Sequence, residues 1–186
     1  EQIITFDHTE HPPTLNGRKT VQDKLNRTTL LVAHNAAHDL MWLWESGFTY
    51  NGEVFDTMLG EYVLQRGQKE PLSLEACAER HQLHTKKQDT LKEYFKQGLN
   101  VSEIPHDELS EYLSADLHAT QQLFRHQDKE YTFGKGKTLL DTIRLTNQLA
   151  VHLARIYQRG FKVDLTVLEE VRKEFEQEKQ ELTVKL

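Results

Sequence analysis

Two residue pairs, each four positions apart, carry side chains that could do chemistry. Asn35 and Asp39 stand where an apolar run at 28–33 hands over to a helical pattern beginning at Ala36. On a helix, residues four apart share a face. The pair therefore lies near the C-terminal end of a buried strand, where open α/β sheets place their ligands. Tyr112 and Asp116 repeat the spacing within EYLSADLHAT, putting a phenol and a carboxylate one turn apart. Each pair also has a plain structural reading, a helix cap for the first and a half-buried helix face for the second. Asp56-Thr57 opens a third helical pattern and reads as an N-cap. His34 and His38 have a zinc-pair spacing. No Glu follows His34 to make the metalloprotease motif, and no third ligand is evident in the sequence.

The elements that must position these residues follow from periodicity. Residues 2–6, 28–33 and 53–56 read as short strands, the second continuously apolar after two threonines. The stretch 8–17 reads as loop, with Pro12, Pro13 and Gly17 as breakers, before a short helix at 20–27. Helical patterns follow at 36–45, from Thr57, at 72–81, around 91–97 and from Asp107 to about Lys129. Strands alternating with helices up to residue 130 indicate an α/β domain. Gly134 and Gly136 mark a hinge at 131–137, and two long helical patterns occupy 138–186. The last of these has only a sparse apolar line at Leu168, Val171, Phe175 and Leu182. Such a line is too thin to close a core by itself.

Composition narrows the function. In 186 residues, 23 Lys and Arg stand against 29 Asp and Glu, for a formal charge of −6. That balance argues against a protein that coats nucleic acid through a basic surface. It leaves room for an enzyme that holds nucleic acid through divalent cations, whose sites are themselves acidic. Cys77 is the only cysteine, so neither a disulfide framework nor a cysteine-cluster zinc site is available. Mean hydropathy is −0.68, and no apolar run has the roughly 18 residues that a membrane helix needs. No secretory leader pattern is visible. The chain starts at Glu1 and reads as a piece of a longer protein from a reducing, cytoplasm-like compartment.

Taken jointly, LLVAHNAAHDLMWL, VFDTMLGEYVL, LSLEACAERH and EYLSADLHATQQLF resemble, in order and spacing, the proofreading 3′–5′ exonuclease domain of family A DNA polymerases. The branch it looks like is the one whose third motif carries a tyrosine. The family's second motif, Asn-x-x-x-Asp, matches Asn35 and Asp39, and its third, Tyr-x-x-x-Asp, matches Tyr112 and Asp116. Residues 138–186 are similar to the segment entering a polymerase thumb, with RGFKVD at 159–164 as the turn before long helices. The resemblance implies a ribonuclease H-like three-layer α/β fold with an incomplete sheet, followed by long α-helices. It divides the chain into an exonuclease domain at 1–130, a hinge at 131–137 and the start of the thumb at 138–186.

The implied chemistry is hydrolysis of 3′-terminal nucleotides of DNA by two Mg²⁺ or Mn²⁺ ions, held ~3.5–4 Å apart by hard oxygen ligands. By resemblance, Asp116 and Asp39 hold metal, Tyr112 orients the attacking water, and Asn35 positions the terminal nucleotide or supports Asp39. The implied partners are a single-stranded DNA 3′ end or primer–template and a polymerase domain in cis, in the cytoplasm of a bacterial or phage-infected cell, with no membrane. Stacking of bases on Phe124 or Tyr62 is a further expectation.

The family's first motif, Asp-x-Glu on a strand, has no match. The nearest candidate is Asp7-His8-Thr9-Glu10, and residues three apart on a regular strand face opposite sides. The expectation is therefore a chain that begins inside the third strand and hydrolyses DNA weakly or not at all by itself. Two other readings share parts of the pattern. A ribonuclease D-like RNA exonuclease would replace the thumb helices with a compact helical RNA-binding domain. A non-catalytic module would brace a polymerase or bind single strands, yet it gives no reason to keep acidic side chains facing one another.

Overall fold

The computed structural model describes residues 14–83 and 90–185. The expected strand at 2–6 and the Asp7/Glu10 pair lie outside the described residues. Among the described residues, the chain is mostly helical around a small parallel sheet of two strands. In order, the elements are α1 (Leu15–Arg27), β1 (Leu30–Ala33), α2 (Ala36–Glu45), β2 (Glu53–Asp56), α3 (Thr57–Leu64), α4 (Leu74–Arg80), α5 (Thr90–Lys96), α6 (His106–Thr132), α7 (Leu140–Arg159) and α8 (Leu165–Lys185). Short 3-10 turns precede α6 and α7. The backbone forms two compact units, one reaching Arg155 and one beginning at Ile156.

Strands β1 and β2 pair in parallel with α2 as the crossover, aligning Leu30 with Glu53 and Ala33 with Asp56. Both therefore end at the same edge, and His34-Asn35 and Asp56-Thr57 become neighbours there. Helix α2 stops at Gly47, whose φ of +79° suits a residue without Cβ.

Helix α1 starts earlier than the sequence pattern indicates. Thr14 caps it by accepting the Gly17 N–H at 3.0 Å. Gly17 thus sits in the first turn, where its N–H is one of the helix's orphan donors, and does not break the helix. Helix α6 extends over 27 residues, about 40 Å at 1.5 Å per residue. It is clamped to α3 at its C-terminal half: the Tyr131 hydroxyl donates to the Gly60 carbonyl at 2.8 Å and Gln127 Nε2 to the Thr57 carbonyl at 2.9 Å. Leu40, Cys77, Ile104, Leu123 and Ile143 are fully buried and form the apolar centre of the first unit. In the second unit, Asp164 Oδ1 accepts the N–H groups of Thr166 and Val167 at the start of α8, and Arg172 pairs with Glu169 and Glu176 along it.

Candidate active site

The site is organised by the Asp56-Thr57 corner. Asp56 is 1% exposed. Its Oδ1 accepts the N–H groups of Asn35 (3.0 Å) and Met58 (2.9 Å), with Leu59 N at 3.4 Å, while Oδ2 accepts that of Ala36 (2.9 Å). One carboxylate thus caps two helices, α3 directly and α2 through space. Its negative charge also faces both N-terminal dipoles. The sequence identifies the α3 cap; the bond to α2 spans the sheet and leaves no local trace. Asn147 Oδ1 of α7 accepts the Asp56 N–H at 3.2 Å and completes the corner.

Asn35 turns the chain from β1 into α2 in the left-handed region, at φ +69° and ψ +52°. Asparagine tolerates that region better than most residues. Asn35 therefore precedes the helix and does not share a helical face with Asp39; its backbone N–H goes to Asp56 and its side chain caps nothing.

Beside this corner opens a cleft of about 560 Å³ between β1, α2, α4 and α6. Asp39, Tyr112 and Asp116 all line it, and Asn35 does not. Its other walls are mainly apolar, with Leu31, Val32, Leu43, Leu74 and Leu117 among them. Asp39 keeps solvent contact at the rim, yet desolvation by the walls pushes its carboxyl up to about 6, with His38 opposing and Asp56 adding to the rise.

His34 and Glu75 also line the cleft. In sequence His34 reads only as half of a zinc-pair spacing with His38, and no motif marks Glu75. His34 Nε2 stands 2.8 Å from the Leu72 carbonyl, an acceptor only, so that nitrogen carries a proton. Nδ1 is 2.9 Å from the Thr57 hydroxyl, whose single proton also has the Ala33 carbonyl within reach at 3.1 Å. His34 thereby ties the end of β1 to α3 and to the loop before α4. His38 points elsewhere and accepts from Trp42. Of the aromatics named for stacking, Phe124 packs edge-on against Phe55 with centroids 5.0 Å apart, and neither it nor Tyr62 lines the cleft.

Burial lowers the His34 pKa from 6.5, against the pull of the Leu72 carbonyl and of Asp56, Asp116 and Glu61. The unfolded chain thus takes up this proton first as pH falls. The His34 contribution to stability is present above pH 6.5 and is lost as pH drops through the lower folded value. His126, also lowered, has the same sign, and Asp39, raised, has the opposite one. Urea unfolding at pH 7.5 and 5.5 is expected to show less loss of stability on acidification in His34→Gln than in the parent. An equal or larger loss would contradict the assignment.

A family model described as 3′–5′ exonuclease matches residues 5–131, more than half of the chain. The chain belongs to that family, the 3′–5′ exonuclease domain of the family A DNA polymerase type. No curated protein and no solved structure matches it. Membership brings a nucleic-acid substrate and nuclease chemistry with it. Among the described residues, no helix is long and apolar enough to cross a membrane.

Domains of this family typically use divalent metals. The donors at the cleft are carboxylate and phenol oxygens, which suit Mg²⁺ or Mn²⁺ in kind. In number they fall short: among the described residues, no three His, Cys, Asp or Glu side chains gather closely enough to hold an ion by themselves.

Proposed function

We propose that this chain is the proofreading 3′–5′ exonuclease portion of a family A DNA polymerase, built on the ribonuclease H-like fold and acting on single-stranded DNA 3′ ends. The observation that carries the reading is the shared cleft. Asp39, from the first turn of α2, and Tyr112 and Asp116, from α6, come together although more than seventy residues separate them in sequence. In this reading Asp39 and Asp116 would hold the divalent ions, which supply charge stabilisation for phosphodiester hydrolysis. Tyr112 would direct its hydroxyl at the attacking water; Asn35, which lies outside the cleft, would serve the site only by fixing the start of α2 through its backbone N–H to Asp56. The segment through the end of α6 at Thr132 is the exonuclease domain, 133–137 a hinge and the helices after it the entry to the thumb, with the polymerase in cis.

Charge and ligand placement set the activity of the chain alone. Two divalent ions bring four positive charges, which Asp39, Asp116, Glu75 and one substrate phosphate could offset, yet among the described residues no three carboxylates gather closely enough to share an ion. Hydrolysis of a 3′-mismatched primer by this chain is therefore expected to be weak or absent. Mn²⁺ binding, followed by the paramagnetic resonance of the free ion at pH 7.5, tests the assignment directly. Asp39→Asn and Asp116→Asn are each expected to weaken it at least about tenfold. Unchanged affinity in both variants, or DNA hydrolysis that survives Asp116→Ala, overturns it.

A further inference from the structure

Two tryptophans lie two residues apart on α2 and meet different fates. Trp44 is half-buried, with the Arg155 guanidinium 5.4 Å above its ring centre. Trp42 is 61% exposed. It is not loose: its Nε1 donates to His38 Nε2 at 3.2 Å, and the two rings meet edge-on at 70° with centroids 6.3 Å apart. The bond fixes the indole by its edge.

The position of this ring relates it to the cleft. Asp39 and Leu43 form the stripe of α2 that lines the cleft, and Trp42 is one turn from Asp39 on the adjoining stripe. Across the opening, Leu113 and Leu117 of α6 line the cleft while remaining 41% and 48% exposed. A flat, oriented, solvent-facing aromatic ring beside a site for a single-stranded 3′ end has the chemistry of a base-stacking platform, which accepts any base because every base has a π-face. It also gives the acidic chain a means of holding DNA that does not depend on basic side chains.

We infer that Trp42 is a substrate-binding residue, on whose ring a nucleobase of single-stranded DNA stacks just outside the cleft. The inference rests on the exonuclease reading for its ligand, though not on metal binding, and is tested without metal. In Trp44→Phe, Trp42 is the sole tryptophan and reports its own surroundings. With EDTA present and at low salt, an eight-residue oligothymidylate is expected to quench Trp42 emission, whereas an abasic octamer of equal charge does not. In the otherwise unaltered chain, Trp42→Ala is expected to weaken oligothymidylate binding by about 5- to 150-fold, the equivalent of one stacked base. Trp42→Phe should retain most of the binding.

Unchanged emission at saturating octamer, equal quenching by the abasic strand, or binding within twofold of the parent in Trp42→Ala overturns the platform. So does emission that changes with protein concentration without DNA, which would make a second copy of the chain the occupant. Failure of the Mn²⁺ experiment alongside successful quenching would reject the hydrolytic reading and leave the platform standing.

Discussion

Replacing Asp56 with alanine is expected to lower the unfolding free energy by about 3–5 kcal/mol, a large part of what a domain of this size possesses. Losing one N-cap costs about 1 kcal/mol, and each buried N–H left without an acceptor costs about 1–3 kcal/mol more. Asp56 serves the N–H groups of Asn35, Ala36, Met58 and Leu59 from a position that water barely reaches. Partial relaxation and water entry keep the total below the simple sum. Asp56→Asn should fall between, because one oxygen remains and an amide N–H₂ then confronts the Ala36 N–H.

The loss extends to the site, since the same carboxylate fixes the start of α2, the helix that presents Asp39. Equilibrium urea unfolding gives the stability. Mn²⁺ titration of the folded variant at low temperature reports whether Asp39 still faces the cleft. A change under 1 kcal/mol for Asp56→Ala would mean that the two helix starts do not depend on this group.

Local pattern made much of this architecture legible. The apolar run before His34, the helical pattern from Ala36 and the short strand pattern at 53–56 delimit β1, α2 and β2, because each signal acts within a few residues. Asp56 as the α3 cap is equally local. What escaped is what the third dimension adds. Gly17 reads as a breaker until Thr14 is seen capping it. Tyr131 and Thr132 read as the start of a hinge, whereas the buried Tyr131 ring and its bond to Gly60 hold the last turn of α6. Asn35 reads as a helical neighbour of Asp39, yet its backbone is committed to Asp56, twenty-one positions away. The Asn147–Asp56 bond joins residues ninety-one apart and has no sequence signature. At the site, fixed i,i+4 spacings exposed the candidate acids. His34 and Glu75 reach the same cleft from other segments, and no spacing rule connects them.

Glu61 is another residue that pattern alone does not mark, and its replacement by alanine is expected to cost about 2–4 kcal/mol. It is 2% exposed on α3 and receives Arg80 Nη1 at 2.8 Å, His81 Nε2 at 2.9 Å and Gln127 Nε2 at 3.2 Å. Burial raises the Glu61 pKa, but hydrogen bonds from His81, Arg80 and Gln127 outweigh it and hold the carboxyl below its usual 4.5. Breaking a fully buried ion pair from one side costs about 3–5 kcal/mol. The figure is lower here because the Arg80 and His81 side chains keep 26% and 19% of their surface and can turn to water. Glu61→Gln should cost less than Glu61→Ala, since it keeps the shape and one acceptor.

The sign with pH follows from the lowered pKa. The unfolded carboxyl protonates first, so the contribution is full above pH 4.5 and disappears as pH falls through the folded value. Glu61→Gln is therefore expected to be less stable than the parent at pH 7 and to close that gap on acidification below pH 4.5. The network matters to the cleft because Arg80 and His81 tether the end of α4, whose Leu74 and Ala78 form one of its walls, to α3 and α6. Urea unfolding at pH 7 and pH 4 measures both parts of the expectation. Parent-like stability of Glu61→Ala at pH 7, or a gap for Glu61→Gln that widens in acid, would show that the tether contributes nothing to the folded state.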